Sequence, residues 1–97
     1  MPVLNLSYAQ IKDPAAFAEY VQRAAEIMAD FQVEVVGRGE FAACMAGAAG
    51  APTVGAVFRY PSMAEAQAFF ASPRYQALIP LRERACEMTI LLFDEGG

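Results

Sequence analysis

The chain has 97 residues, enough for a single domain spanning 1–97 with one core, in which roughly two-thirds of the unfolded chain's surface becomes buried. Hydrophobic residues make up 57% of it, yet no run approaches the ~18 uninterrupted apolar residues of a membrane-spanning helix, so the excess apolar surface points to a subunit interface. Seven basic against eleven acidic residues give a formal charge of −4, with the basic ones scattered, which argues against a nucleic-acid partner.

The first element, VLNLSYAQI, alternates Leu4, Leu6 and Tyr8 on one face with Asn5, Ser7 and Ala9 on the other, the period of a strand. The opening MPVLNLSYAQ lacks both the charged region and the long apolar region of a secretory signal, so the cytoplasm is the expected compartment. Asp13 followed by Pro14 is a helix cap with proline in the first turn. Phe17, Tyr20, Val21, Ala24, Ile27, Met28 and Phe31 then recur at three- and four-residue spacing, which predicts an amphipathic helix over 14–31.

VEVVGRGEFAACMAG reads as a long, bent second strand, with Gly37 and Gly39 suggesting a bulge or close backbone approach, and with Glu34, Val36, Arg38 and Glu40 on one face. GAAGAP is a turn and TVGAVFRYP a third strand, so a short connection makes the two a hairpin. Arg59 and Tyr60 face opposite sides of that strand, and the pattern leaves open which is inward. Ser62 with Glu65 is a capping box opening a helix through Phe70. Ser72 and Pro73 restart a helix, Pro80 interrupts it, and MTILLFD from Met88 is the last strand.

The order β-α-β-β-α-β is an α+β, ferredoxin-like arrangement: a four-stranded antiparallel sheet with the helices on one face. Strands apolar on both faces call for a second copy on the other side, giving a homodimer of the dimeric α/β-barrel kind.

Histidine is absent. That excludes Ser-His and Cys-His pairs, histidine bases, histidine ligation of haem and the usual zinc sites. Cys44 and Cys86 fit no metal motif and read as small buried hydrophobes, so no metal or cofactor is expected. Neither GRGEF nor GAAGAP is a phosphate loop.

Chemistry is left to a few side chains. Tyr75, Leu78, Ile79, Arg82 and Cys86 share a helical face, which sets Tyr75 and Arg82 among core residues. Arg82 reads as a snorkelling side chain with its head in water, as the partner of a nearby carboxylate such as Glu83 or Glu87, or with Tyr75 as one wall of a pocket holding a carboxylate, enolate or phenolate. Pro80 marks a helix bent around the sheet, two helical segments in sequence, or a kink that aims both residues at one point. Asn5 and Ser7 are polar on a strand expected to be central, so they bond to each other, to water or to backbone, or else they line a cavity. Arg38 is either an edge-strand charge or a pocket residue.

KDPAAFAEY, GRGE and FRYPSMAEAQAFFASPRYQALIPLRERA together resemble the bacterial family known as domain of unknown function 1330, of the dimeric α/β-barrel superfamily. The resemblance covers Tyr8 to Phe93, and its most specific piece runs from Tyr60-Pro61-Ser62 through Ser72-Pro73-Arg74-Tyr75 to Arg82. Where that family usually has Gly-Gly before the second strand and Arg-Gly-Gly within it, this chain has Phe31-Gln32 and Arg38-Gly39-Glu40. The resemblance implies a ferredoxin-like subunit, a dimer formed sheet to sheet and a small pocket between sheet and helices, without an assigned reaction.

Two functions remain open, besides a purely structural dimer with no enclosed polar cavity. One is a cofactor-independent enzyme acting on a small carbonyl, enol or phenol compound, in which Arg82 and Arg38 stabilise oxyanion charge, Tyr75 handles a proton, and Asn5, Ser7 and Ser72 orient the ligand. The other is a non-catalytic dimer whose pocket holds an apolar or anionic metabolite.

Overall fold

The computed structural model describes residues 1–96. Its elements are β1 (Val3–Ile11), α1 (Pro14–Asp30), β2 (Glu34–Glu40), β3 (Val54–Tyr60), α2 (Met63–Ala71), α3 (Pro73–Gln76), α4 (Ile79–Ala85) and β4 (Cys86–Asp94). The strands form one antiparallel sheet in the order β2-β3-β1-β4. This is the expected β-α-β-β-α-β order, with its second helical segment in three pieces.

The helix starts follow their cap residues. Asp13 accepts from the Ala16 amide at 3.1 Å and Ser62 from the Glu65 amide at 3.1 Å. The end of α1 is less ordinary. The Phe31 and Val33 amides both return to the Met28 carbonyl, each at 3.1 Å, and Gln32 between them sits at φ 56. This is a left-handed helix cap of the kind glycine usually supplies, with Val33 and Met28 both packed against the core.

The register decides which side chains meet the helices. Val3, Asn5, Ser7 and Ala9 of β1 are buried beneath them, opposite Tyr60, Phe58, Ala56 and Val54 of β3. The polar members of β1 therefore point at the core, while Leu6 and Tyr8 stay 39% and 37% exposed on the open face. Tyr60 is the inward residue of its pair, with no exposed surface. Arg59 lies on the open face, bound bidentately to Glu95 at 2.7 and 2.9 Å and paired with Glu34 at 2.9 Å.

β2 corrects three expectations. Its pairing slips from Val35↔Phe58 to Gly37↔Val57, so Val36 is an extra residue, and everything beyond it changes face. Glu34 consequently shares the open face with Arg59, whereas Arg38 and Glu40 face the helices. The strand also stops at Glu40 instead of running to Gly47, and the connection to β3 occupies 41–53 rather than a short turn. The AACMAGAAG segment has neither apolar alternation nor β-branched residues to hold it in a sheet. Cys44 lies in that segment and is exposed, contrary to the expectation of a buried thiol; Cys86 is buried.

Pro80 falls in the first turn of α4, where its missing amide hydrogen is not needed. The break lies just before it: the Leu78 amide bonds the Tyr75 carbonyl at 2.8 Å, and the Arg82 amide bonds the Leu78 carbonyl at 2.9 Å. The observed form is thus two helical segments in sequence.

The molecule is 17 Å in its thin dimension, the depth of one helix layer on one sheet. Among the described residues no helix is long and apolar enough to cross a membrane.

Candidate functional site

α1 stands off the β2-β3 half of the sheet, and a cavity of about 840 Å³ lies between them. Small residues create the space. Ala24, Ala25 and Ala29 face it from α1, and Ala9, Gly55 and Ala56 form part of its floor. Phe17, Phe58, Phe69, Phe70 and Met28 make most of the remaining wall apolar. No residue of β2 is buried, so the cavity opens at that edge, where Arg38 and Glu40 line it. The volume lies within the ~300–1,000 Å³ of ordinary small-molecule sites.

Two polar networks reach this apolar space. On the floor, the Ser7 hydroxyl donates to Asn5 Oδ1 at 2.5 Å, and Asn5 Nδ2 donates to the Tyr60 hydroxyl at 3.1 Å. Asn5 and Ser7 thus bond to each other and line the cavity at once. Burial pushes the Tyr60 phenol up to about 12, against the smaller downward pull of the Asn5 bond.

On the helix side, Arg82 Nη1 donates to the Tyr75 hydroxyl at 3.0 Å, and that hydroxyl lies 2.9 Å from the Tyr20 hydroxyl. Tyr20 and Tyr75 line the cavity; Arg82 stands behind Tyr75, not among the lining residues. Phe69 and Phe70 fix the Tyr75 ring, with ring centroids 5.0 and 5.1 Å away. Burial, then the neighbouring Tyr75, drives the Tyr20 phenol far above its ordinary value. Burial acts against the Arg82 charge, but its bonds to Tyr75 and Glu83 more than offset this and raise its pKa. The guanidinium therefore stays charged while its second arm holds Glu83 at 3.1 Å.

The remaining sequence candidate, Ser72, serves the backbone. Its hydroxyl donates to the Phe69 carbonyl at 2.7 Å and accepts from the Tyr75 amide at 3.2 Å, so it joins the end of α2 to the start of α3. It does not line the cavity. Tyr20 is the residue that sequence reasoning placed only in a packing stripe. The available signal was chemical: a phenol on a buried helix face needs a partner. That partner lies 55 residues away, beyond any local spacing. Among the described residues no group of three or more metal-ligating side chains comes together.

A ferredoxin-like α+β domain with a cavity between sheet and helices is the class these features define. The chain belongs to the family described as Domain of unknown function (DUF1330), which it matches over residues 3–95. No curated protein matches it in sequence. Among solved structures it is similar to the RPA0582 protein of unknown function from Rhodopseudomonas palustris, at 17% identity and TM-score 0.85, covering 99% of this chain and 83% of that one. It is also similar to a hydroxynitrile lyase from Passiflora edulis, at 15% identity, TM-score 0.73 and coverage of 99% and 96%. SnoaB, a cofactor-independent oxygenase from Streptomyces nogalater, is similar at 12% identity, TM-score 0.70 and coverage of 99% and 94%. A dimeric ferredoxin-like protein of unknown function from Bacteroides fragilis is similar at 7% identity, TM-score 0.66 and coverage of 96% and 95%. At these identities the likeness is one of fold.

Proposed function

We propose that the cavity beneath α1 is a small-molecule site, and that the protein is a cofactor-independent enzyme acting on a carbonyl, enol or phenol compound. The observation that carries this reading is the Arg82–Tyr75–Tyr20 chain set into an otherwise apolar wall. A phenol backed by a half-buried guanidinium is a hydrogen-bond donor aimed where negative charge develops on a substrate oxygen, and an apolar setting strengthens it. Tyr75 is the group that touches substrate, and Arg82 is a positioning residue acting through it. Arg38 adds positive charge at the entrance. Glu40 is the one carboxylate among the cavity-lining residues described, and so the candidate to take a proton. For a ketone, the C–H proton beside the carbonyl passes to Glu40, its electron pair moves into the enolate, and the enolate oxygen accepts from Tyr75. A lyase and a cofactor-independent oxygenase on the same fold are consistent with such a use of the scaffold.

The test is deuterium exchange into acetophenone in heavy water, followed by NMR. Wild type is expected to accelerate exchange above buffer. Tyr75→Phe and Glu40→Gln should each reduce that gain by roughly 10²-fold or more. Absence of any acceleration, for acetophenone and a wider panel of enolisable ketones, would count against catalysis.

A second reading, a non-catalytic binding dimer, has its own support: the buried polar oxygens and nitrogens of both networks already have partners within the chain. Both readings include a homodimer formed through the open sheet face, where Leu6 pairs with Leu91 and Leu4 with Phe93. Leu91 and Phe93 are 40% and 52% exposed there. Covering such a face with a second copy removes it from water. The cytoplasm stays the expected compartment.

A further inference from the structure

Counting protons in the two networks, rather than atoms, specifies what the cavity takes. Each phenol oxygen of the Tyr20–Tyr75 pair has a partner, but the pair has one more proton than it has oxygen or nitrogen acceptors. Arg82 has no acceptor atom, so its contact with Tyr75 uses a lone pair of the phenol and none of its hydrogen. If Tyr20 donates to Tyr75, the Tyr75 proton is left over. If Tyr75 donates to Tyr20, the Tyr20 proton has the thioether sulfur of Met88 at 3.9 Å, a weak and distant acceptor. In both cases the surplus proton belongs to a side chain at least nine-tenths buried, since Tyr20 is 6% and Tyr75 2% exposed, and both border the cavity.

The floor offers an acceptor beside further donors, because the second Nδ2 hydrogen of Asn5 and the Tyr60 hydroxyl proton have no acceptor among the described residues. Ser7 gives its proton to Asn5 Oδ1, so the lone pairs on its oxygen can only accept. The cavity therefore carries a donor pole at Tyr20 and Tyr75 and an acceptor at Ser7, separated by apolar wall.

We propose that the ligand is a neutral, largely aromatic or alicyclic molecule bearing two unlike oxygens: a carbonyl that accepts the surplus proton of the Tyr20–Tyr75 pair, and a hydroxyl that donates to Ser7. Tyr20 thereby becomes a ligand-binding residue in its own right. The inference rests on the cavity being a small-molecule site but not on its being catalytic. Hydrocarbons satisfy neither pole. Carboxylates satisfy the donor pole but carry a full charge into an apolar wall, which costs far more than a neutral carbonyl.

The experiment is NMR titration of the wild-type protein with three probes of similar shape: ethylbenzene, acetophenone and para-hydroxyacetophenone. Affinity is expected to rise in that order, with para-hydroxyacetophenone at least 10-fold tighter than ethylbenzene. Tyr20→Phe and Tyr75→Phe should each weaken acetophenone 3- to 10-fold and leave ethylbenzene unchanged. Ser7→Ala should remove the advantage of para-hydroxyacetophenone over acetophenone and nothing else. Met88→Leu, which deletes the competing sulfur, should leave ketone affinity equal or tighter, whereas a packing role would weaken all three probes. Equal affinities for the three probes, or equal losses for ketone and hydrocarbon in the phenylalanine variants, would overturn the two-pole assignment while leaving the cavity as a site. Failure of all three to bind would overturn the site and the inference together. Deuterium exchange without probe discrimination, or the reverse, separates this inference from the catalytic reading.

Discussion

Tyr60 and Tyr20 tie the site to the stability of the fold. An unfolded tyrosine ionises near its ordinary value of about 10, whereas burial holds the folded Tyr60 phenol protonated to about 12 and moves Tyr20 in the same direction. Between those values the unfolded chain has lost a proton that the folded chain keeps, so stability falls as pH rises. The Tyr60 contribution is complete below pH 10 and disappears across roughly 10 to 12, at no more than about 1.4 kcal/mol per pH unit, and that of Tyr20 declines over the same range without being exhausted in it. Urea denaturation across this range should show that decline, and Tyr60→Phe should flatten part of it; a flat profile in wild type would contradict the burial argument. At this scale the sequence exposed one arm of the site. Tyr75 and Arg82, seven residues apart at a spacing that predicts one helical face, sit on α3 and α4 and do meet. Tyr20 carried no comparable sign, because its bond to Tyr75 depends on how α1 crosses α3, which no local spacing encodes. Asn5 and Ser7 were legible as an anomaly, two polar groups on a central strand, and the anomaly resolves into a bonded pair.

Two elements show where local pattern stops being enough. α1 ends on Gln32 at φ 56, a left-handed conformation that costs a residue with a side chain about 1–2 kcal/mol. The lost chain entropy of glycine offsets part of that gain. Gln32→Gly should therefore raise stability by roughly 0.5–1 kcal/mol in thermal or urea unfolding, and a loss of stability would show that the Gln32 side chain contributes something beyond the turn. β2 was misread in the opposite way. Its charges alternate cleanly in the sequence, but one extra residue at Val36 reverses the strand's facing, so Glu34 and Arg38 part company. A bulge leaves no sure trace in a single sequence, since nearby glycines mark its neighbourhood without giving its position. Helix starts were legible because caps are local chemistry: Asp13, Ser62 and Ser72 each bond the amide three residues on.

The whole molecule was the most legible level. The succession of strand and helix periods specifies β-α-β-β-α-β, and few topologies satisfy it. The open sheet face follows from the same pattern, and the proposed dimer follows from that face. Leu6→Asp places a charge at its centre and should weaken self-association at least 100-fold by analytical ultracentrifugation, leaving the circular dichroism spectrum unchanged. An unaltered sedimentation profile would place any interface elsewhere.

The central claim is that the space beneath α1 holds a ligand, and filling it is the direct test. Ala56→Phe projects a ring from the cavity floor, next to Ser7 in the adjacent strand. NMR titration of wild type and Ala56→Phe with para-hydroxyacetophenone should give saturable binding to wild type and a loss of at least 10-fold in the variant, with both proteins folded. Equal affinity for the two would contradict the account.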